Sequence, residues 1–252
     1  MLNYYFLYVT CHVVGYSVRK QHHQYQSNQS KMAKTAYKQQ FLDCAVEAQA
    51  LKFGSFTLKS GRQSPYFFNM GQFNTARYLD ELCTAYAHAI IDSGVKFDVL
   101  FGPAYKGIPL ASVTVTKLYQ LGGAEYADIG YSFNRKEKKD HGEGGSIVGT
   151  PLKDKRVFII DDVMTAGTAI NEAFDIIKSE GGHAIACVIA LDRMETTKDS
   201  DKSATKAVSE RHGVPVVSIV NFDDIVERFG SKLTEKQLSD IQDYRDKYVP
   251  SA

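Results

Sequence analysis

Excess charge of one sign, clustered cysteine and long apolar runs are all scarce in this sequence. Across 252 residues, 30 lysines and arginines face 29 aspartates and glutamates, a formal net charge of +1. So even a balance leaves no electrostatic footprint for a nucleic acid, and a phosphate-rich ligand has to be met by local basic clusters. The four cysteines, Cys11, Cys44, Cys83 and Cys187, lie far apart and without metal-ligand spacing. Cys44, Cys83 and Cys187 fall in apolar-periodic segments, as buried free thiols of a reducing compartment do. There is no internal repeat, and no Gly-x-Gly-x-x-Gly follows a strand-like run, which argues against a Rossmann dinucleotide turn. The apolar stretch from Tyr4 to Val18 contains His12 and is too short for a membrane span. Arg19 and Lys20 follow it, the reverse of a secretory signal, and a mitochondrial presequence would be richer in arginine and amphipathic. The expected location is cytoplasmic.

What is present is ordinary for a globular chain: 44% hydrophobic and 23% charged residues, at a length that suits one α/β domain with additions. Residues 1–31 are unlike the rest, aromatic-rich and then polar, and Met32-Ala33-Lys34 reads like a second start. The expectation is a disordered or upstream-translated extension over 1–31, with His22-His23 an accidental pair within it, followed by a single domain over 32–252.

The most informative stretch runs from Val157 to Ala169. Val157-Phe158-Ile159-Ile160 is wholly apolar and mostly β-branched, as a strand buried on both faces of a parallel sheet should be. Asp161 and Asp162 follow where such a strand leaves the sheet, and then the small and hydroxyl residues Thr165, Ala166, Gly167, Thr168 and Ala169. Ile170, Ala173, Phe174 and Ile177 next mark one face of a helix, stopped by Gly181-Gly182. Loop N–H groups and a helix N-terminus bind an anion because those donors lack partners within the helix. The two acids would repel a bare phosphate, so ribose hydroxyls, a hydrated Mg²⁺ or both should lie between.

Elsewhere, Tyr37 to Leu51 is a predicted helix, and Lys52 to Arg62 with Ser64 to Asn69 a predicted hairpin. Its aromatics beside Lys59 and Arg62 could stack on a planar ring bearing an acidic group, or could simply be core and rim. A long amphipathic helix through Leu79, Leu82, Cys83, Tyr86, Ala89 and Ile90 breaks near Ser93-Gly94. Phe97 to Phe101 reads as a parallel strand entering Gly102-Pro103-Ala104-Tyr105-Lys106-Gly107, a second anion-cradle turn, before a helix from Ile108 to about Leu121. Ala127 to Phe133 is the next predicted strand. Asn134 to Gly145 carries Arg135, Lys136, Lys138, Lys139 and His141 without an apolar anchor, and should be a mobile loop or an extended ribbon. His183 to Leu191 is another buried strand, ending at Asp192-Arg193-Met194-Glu195. A surface loop is expected over Thr197 to Ala204, a helix ending over Lys206 to Arg211, a last strand over Val214 to Val220 and a short helix from Phe222. A C-terminal helix over Thr234 to Tyr248 should face Leu238, Ile241 and Tyr244 inward. Strands alternating with helices give a doubly wound parallel sheet that binds ligands at its carboxyl edge.

The stretch from Asp161 to Ala169 resembles the phosphoribosyl-diphosphate (PRPP) motif of type I phosphoribosyltransferases. From Tyr37 to Val249 the chain is similar to the orotate phosphoribosyltransferases. The discriminating passages are Phe-Thr-Leu-Lys-Ser-Gly-Arg at 56–62, Ser-Pro-Tyr-Phe-Phe-Asn at 64–69 and Asn-Arg-Lys-Glu-Lys-Lys-Asp-His-Gly-Glu-Gly at 134–144. The resemblance implies a type I phosphoribosyltransferase fold: α/β, a mainly parallel central sheet flanked by helices, an N-terminal hairpin and helix hood, and a mobile cationic loop.

It also implies the reaction of orotate with PRPP, giving orotidine 5′-monophosphate and diphosphate, with Mg²⁺. Asp161, Asp162, Val163, Met164, Thr165, Ala166, Gly167, Thr168 and Ala169 would hold the ribose 5-phosphate, the two aspartates meeting the ribose hydroxyls. Tyr105, Lys106 and Lys59 would contact PRPP. Phe67 and Phe68 would line an orotate pocket, with Thr165 and Arg193 contacting orotate. Arg135, Lys136, Lys139 and His141 would engage diphosphate, mostly in the neighbouring subunit of a homodimer. Mg²⁺ would be carried mainly by PRPP, with no firm protein ligand. No nucleic acid or membrane partner is expected, and the next step of the pathway is expected to fall to another polypeptide. Two other functions fit the PRPP motif alone: a purine or uracil phosphoribosyltransferase, and a non-catalytic PRPP-binding regulator. The Phe67-Phe68 hairpin and the Arg135 to Gly145 stretch argue against the first, and the intact cationic stretch, with Lys139 and His141 both present, against the second.

Overall fold

The computed structural model describes residues 35–58, 60–139, 145–164, 167–197 and 200–250, without the side chains of 138, 139 and 200. By internal contacts the chain divides into Met1–Tyr37 and Lys38–Ala252. Only 35–37, the first turn of a helix, are described in the former; the expected extension over 1–31 lies outside the described residues.

The second unit is built on a six-stranded sheet. Its strands are β3 (Val99–Phe101), β4 (Gly130–Lys139), β5 (Gly145–Gly149), β6 (Arg156–Ile160), β7 (His183–Asp192) and β10 (Val216–Asn221), in the order β10-β7-β6-β3-β4-β5. All neighbouring pairs are parallel except β4 with β5. The helices α2 (Ala76–Ser93), α3 (Gly107–Gly122), α4 (Thr168–Ser179) and α5 (Ala204–His212) flank it. β6 is the apolar run read from sequence, and Val157 to Ile160 are wholly buried. Val157 and Ile159 pack with Val99, Phe101, Ile170, Ala173, Ile177 and Val208 between sheet, α4 and α5. That is the packing a strand covered on both faces requires.

A smaller layer stands over one end. Helix α1 (35–47) precedes the antiparallel hairpin β1 (Leu51–Thr57) and β2 (Gln63–Phe68), and α6 (Phe222–Phe229) and α7 (Glu235–Tyr248) close the chain. Phe53 meets Phe229 edge-on at 5.5 Å, Tyr66 lies 5.7 Å from Phe222, and Lys38 pairs with Asp224 at 2.9 Å. Cys44, Cys83 and Cys187 are buried free thiols, as expected, and burial pushes Cys83 and Cys187 up to about 12.

Several elements differ from their sequence expectations. The first helix ends at 47, and Leu51 opens β1, because Ala48 to Ala50 turn the chain with Gln49 at φ 60. The segment expected as a surface loop pairs as a short hairpin, β8 (Thr196–Thr197) with β9 (Ser200–Ser203), and α5 starts directly at Ala204. Leu238 is 38% exposed, so only Ile241 and Tyr244 of the expected inward stripe are buried. The strand expected over Ala127 to Phe133 begins at Gly130 and continues to Lys139 as one arm of a ribbon with β5.

Candidate active site

The sheet order reverses direction between β3 and β6. From β3 the chain crosses through α3 to β4 on one side; from β6 it crosses through α4 to β7 on the other. Ligands of open α/β sheets bind at such a switch point, beyond the carboxyl ends of the strands. The two turns read from sequence as anion cradles lie there, and an ion pair joins them: Lys106 Nζ to Asp162 Oδ2, 2.7 Å.

The β3 turn is held by close approach. A Cβ on Gly102 would stand 2.0 Å from the Gly107 carbonyl oxygen, so only glycine lets α3 begin so near the strand end. Asn134 of β4, 7% exposed, accepts the Ala104 N–H at 2.9 Å and ties the turn to the next strand. The Ala104–Tyr105 peptide is cis, and the Tyr105 side chain is 71% exposed.

The β6 turn is held from below. Tyr86 of α2, fully buried, donates its hydroxyl to the Asp161 carbonyl oxygen at 2.7 Å. The Ala190 N–H donates to the Asp162 carbonyl at 2.8 Å, and Val163 forms a parallel bridge with Leu191. The Asp162 N–H donates to Asp161 Oδ1 and the Val163 N–H to Asp162 Oδ1. Asp161 is buried; burial and then the neighbouring Asp162 charge raise its carboxyl to about 6. Met164 points into the core, while Gly167 takes the left-handed φ of 71 at the start of α4. Thr168 and Ala169 are exposed in the helix's first turn; Thr165 and Ala166 lie outside the described residues.

Helix capping separates these two turns from the rest. Thr75, Ser203, Asn221 and Thr234 cap α2, α5, α6 and α7 with side-chain hydrogen bonds to backbone N–H groups. Helices α3 and α4 have no side-chain cap, and both start at the switch point. At α3 the Gly107 and Ile108 N–H groups donate to the Pro103 and Tyr105 carbonyls and Pro109 has none to offer; at α4 the Thr168 and Ala169 N–H groups have no partner among the described residues, and an anion suits them.

Beside this cradle the hairpin meets the end of β7. Arg193, 7% exposed, gives Nε to Glu195 Oε1 at 2.5 Å and Nη2 to Ser64 Oγ at 3.1 Å. Tyr244 Oη lies 3.3 Å from the same Nη2, and the guanidinium stands 4.4 Å over the Tyr66 ring. Burial alone would lower the arginine's pKa; Tyr66, Glu195 and Tyr244 hold it above the ordinary value. Met194, between Arg193 and Glu195, takes a φ of 57 that brings the two side chains together, at a cost of about 1 kcal/mol.

Phe67 and Phe68, grouped by the sequence reading, do not share a face. Successive strand residues point to opposite sides. Phe67 is 38% exposed with its ring 5.5 Å from that of Phe56, whereas half-buried Phe68 packs against Phe41 and Phe73. Arg135 is half-buried and Lys136 exposed on β4. Lys139 ends that strand; its side chain, like Lys59 and His141 altogether, lies outside the described residues. Sequence reasoning passed over Asn134, Tyr86, Ser64, Glu195 and Tyr244 as functional side chains. Each acts through a contact 30 or more residues away or through a bent turn.

A doubly wound sheet whose switch point carries an open helix start behind paired aspartates, with a lysine reaching over it, has the features of a binder of a sugar carrying phosphate. A family model described as Phosphoribosyl transferase domain matches residues 71–221. An orotate phosphoribosyltransferase of Yarrowia lipolytica is 60% identical over 215 residues, spanning 85% of this chain and 98% of that one. One from Kluyveromyces lactis is 55% identical over 219 residues, 86% of this chain and 97% of that one. The crystal structure of orotate phosphoribosyltransferase from Francisella tularensis is 45% identical and superimposes with a TM-score of 0.76, covering 83% of this chain and 98% of that one. The chain belongs to the phosphoribosyl transferase family and, within it, to the orotate phosphoribosyltransferases.

Proposed function

We propose that the chain transfers the 5-phosphoribosyl group of PRPP to orotate, giving orotidine 5′-monophosphate and diphosphate in pyrimidine biosynthesis. The observation that carries this reading is the pairing of a ribose-phosphate cradle with a buried, fixed cation, Arg193, at one sheet edge. The cradle suits the sugar; the cation suits a base that bears a carboxylate, which uracil and the purines lack.

In this reading the 5-phosphate rests on the start of α4, over Thr165 to Ala169, with Val163 and Met164 shaping the turn. Asp161 and Asp162 accept the ribose hydroxyls. Lys106, 68% exposed at its side chain, leaves Asp162 for the phosphates, with Tyr105 and Lys59 beside it. Orotate lies between Arg193, Thr165 and the hairpin, where Phe67 offers an open ring and Phe68 its uncovered rim.

The C1–N1 bond forms as the C1–O bond to diphosphate breaks and N1 gives up its proton, the electron pair leaving on diphosphate and the proton passing to the oxygens of that leaving group. Positive charge grows on the ribose ring, as in glycoside chemistry. The buried carboxylate of Asp161 faces that charge. Negative charge grows on the leaving group, and Arg135, Lys136, Lys139 and His141 meet it from the β4–β5 ribbon.

Mg²⁺ fits this site as a companion of the substrate. Two adjacent carboxylates supply hard oxygen beside the cradle, and among the described residues no three His, Cys, Asp or Glu gather into a protein-built metal site. Held chiefly by PRPP oxygens and water, with Asp161 and Asp162 nearest, the ion would neutralise charge on the departing diphosphate. A second copy of the chain is the proposed partner, its ribbon completing the neighbouring site. Tyr119, Leu121 and Tyr131, exposed on α3 and β4, supply apolar surface for it. Among the described residues no helix is long and apolar enough to cross a membrane; the proposed location is the cytoplasm.

Orotate depletion with and without PRPP and Mg²⁺ tests the reading. Consumption that needs both is expected; no consumption in their joint presence overturns it.

A further inference from the structure

The guanidinium of Arg193 is bound on one side and open on the other. An arginine carries five N–H donors. Nε–H is taken by Glu195, and Nη2 faces Ser64 Oγ and Tyr244 Oη. Nη1 has no hydrogen-bond partner among the described residues. Ser64 is itself committed: its hydroxyl donates to the Tyr66 carbonyl at 2.7 Å, so only its lone pairs face Arg193. The flat face of the guanidinium rests on the Tyr66 ring at 4.4 Å, which fixes its plane.

Glu195 ties this cation to a second one. Its Oε2 lies 3.6 Å from Arg62 Nη1, and the Arg62 guanidinium covers the Tyr248 ring at 4.6 Å. Two arginines against one glutamate leave a single uncompensated positive charge. The link reaches from the β1–β2 hairpin through the end of β7 to α7, three segments far apart in sequence. A carboxylate brought to Nη1 would balance that charge and satisfy the remaining donors.

We propose that Glu195, assisted by Tyr244 of the C-terminal helix, is the positioning residue that aims Arg193 Nη1 at the carboxylate of the incoming base. The inference rests on the reading that Arg193 meets orotate. Glu195 does not touch the substrate. By occupying Nε it prevents a side-on approach through Nε and Nη2, and it leaves the guanidinium one open edge. A guanidinium free to turn would lose that registry and with it the preference for a carboxylated ring.

A purely electrostatic role gives the opposite sign, because removing the glutamate charge makes the cluster more positive and should tighten an anionic base. The test is steady-state kinetics on the full chain with orotate and PRPP varied separately, with thermal unfolding alongside, for Glu195→Gln, Tyr244→Phe and Arg193→Lys. Glu195→Gln is expected to raise the orotate KM by about tenfold, the loss of one oriented charged contact. The PRPP KM should stay within about twofold, the scale of an untouched subsite. Tyr244→Phe, which removes only a hydroxyl, should raise the orotate KM by about threefold, leaving the unfolding temperature close to the parent's. An orotate KM unchanged or lowered in both Glu195→Gln and Tyr244→Phe, while Arg193→Lys raises it, overturns the positioning role and spares the reading beneath it. An orotate KM unmoved by Arg193→Lys overturns that reading itself.

Discussion

Lys106 Nζ lies 2.7 Å from Asp162 Oδ2, and this contact joins the turn after β3 to the turn after β6. The lysine side chain is 68% exposed and the aspartate 17%, so the cation reaches from solvent onto a shielded acid. An exposed pair of this kind adds little to stability. Its value is positional: it holds a cation over the cradle, where the proposed function has phosphate take it.

Lys106→Ala should therefore separate stability from function. Its unfolding free energy should stay within about 1 kcal/mol of the parent, as for other exposed ion pairs. The PRPP KM should rise at least about tenfold, the scale of one charged contact. Titration of PRPP binding beside a denaturation curve checks both; an unchanged PRPP KM would remove Lys106 from the phosphate site.

Asp161 carries a cost that substitution should relieve. Its carboxyl is raised to about 6 by burial and then by Asp162, so the folded state holds that proton more tightly than the unfolded chain does. The associated stability is present in full below the unfolded pKa and is lost as pH rises through about 6. Asp161→Asn keeps an oxygen for the Asp162 N–H and should be more stable than the parent at pH 7.5, by up to roughly 3 kcal/mol. That advantage should shrink as pH falls through 6 and vanish near 4, while turnover is lost at every pH. Denaturation at several pH values measures it, and a variant less stable than the parent at pH 7.5 would contradict it.

Lys139→Ala should lower kcat by at least about 100-fold, the usual loss for one transition-state donor. Substrate KM values should change far less. Near-normal kcat would take Lys139 off the list of groups that meet the leaving diphosphate.

Gly102→Ala should be destabilising out of proportion to one methyl group. The added Cβ meets the Gly107 carbonyl oxygen at 2.0 Å, and backbone cannot step aside as a side chain can. A loss of about 1–3 kcal/mol is expected from overpacking, with PRPP binding weakened because α3 is pushed off the strand end. Calorimetry decides it: an unfolding temperature equal to the parent's would mean that the turn is not tightly closed.

Much of this was legible in one sequence, for identifiable reasons. β6 and the turn behind it announce themselves through a period change, from a continuous apolar run to a helical stripe at Ile170, Ala173 and Ile177. The residues that hold the site together were not legible, because Tyr86 reaches Asp161, Asn134 reaches Ala104 and Arg193 reaches Ser64 across the fold. No local period records such contacts. The opposed faces of Phe67 and Phe68 were available from strand alternation alone and were obscured by reading the pair as a unit. At the ribbon the charge pattern of Asn134 to Lys139 left a mobile loop and an extended ribbon both open, and backbone pairing with β5 carries the strand onward as the ribbon. Leu238 lies at the edge of a helix stripe whose centre is Ile241 and Tyr244, and a three-residue step drifts away from the buried side.

The central claim is that a sugar-phosphate cradle and a fixed Arg193 together select a carboxylated pyrimidine. The most direct measurement is kcat/KM for orotate, uracil and hypoxanthine on one preparation, at saturating PRPP and Mg²⁺. The account predicts turnover of orotate and rates for the other two at least about 1,000-fold lower, as expected when a buried charged contact is left unmatched. Turnover of hypoxanthine or uracil at a rate equal to or above that of orotate would contradict it.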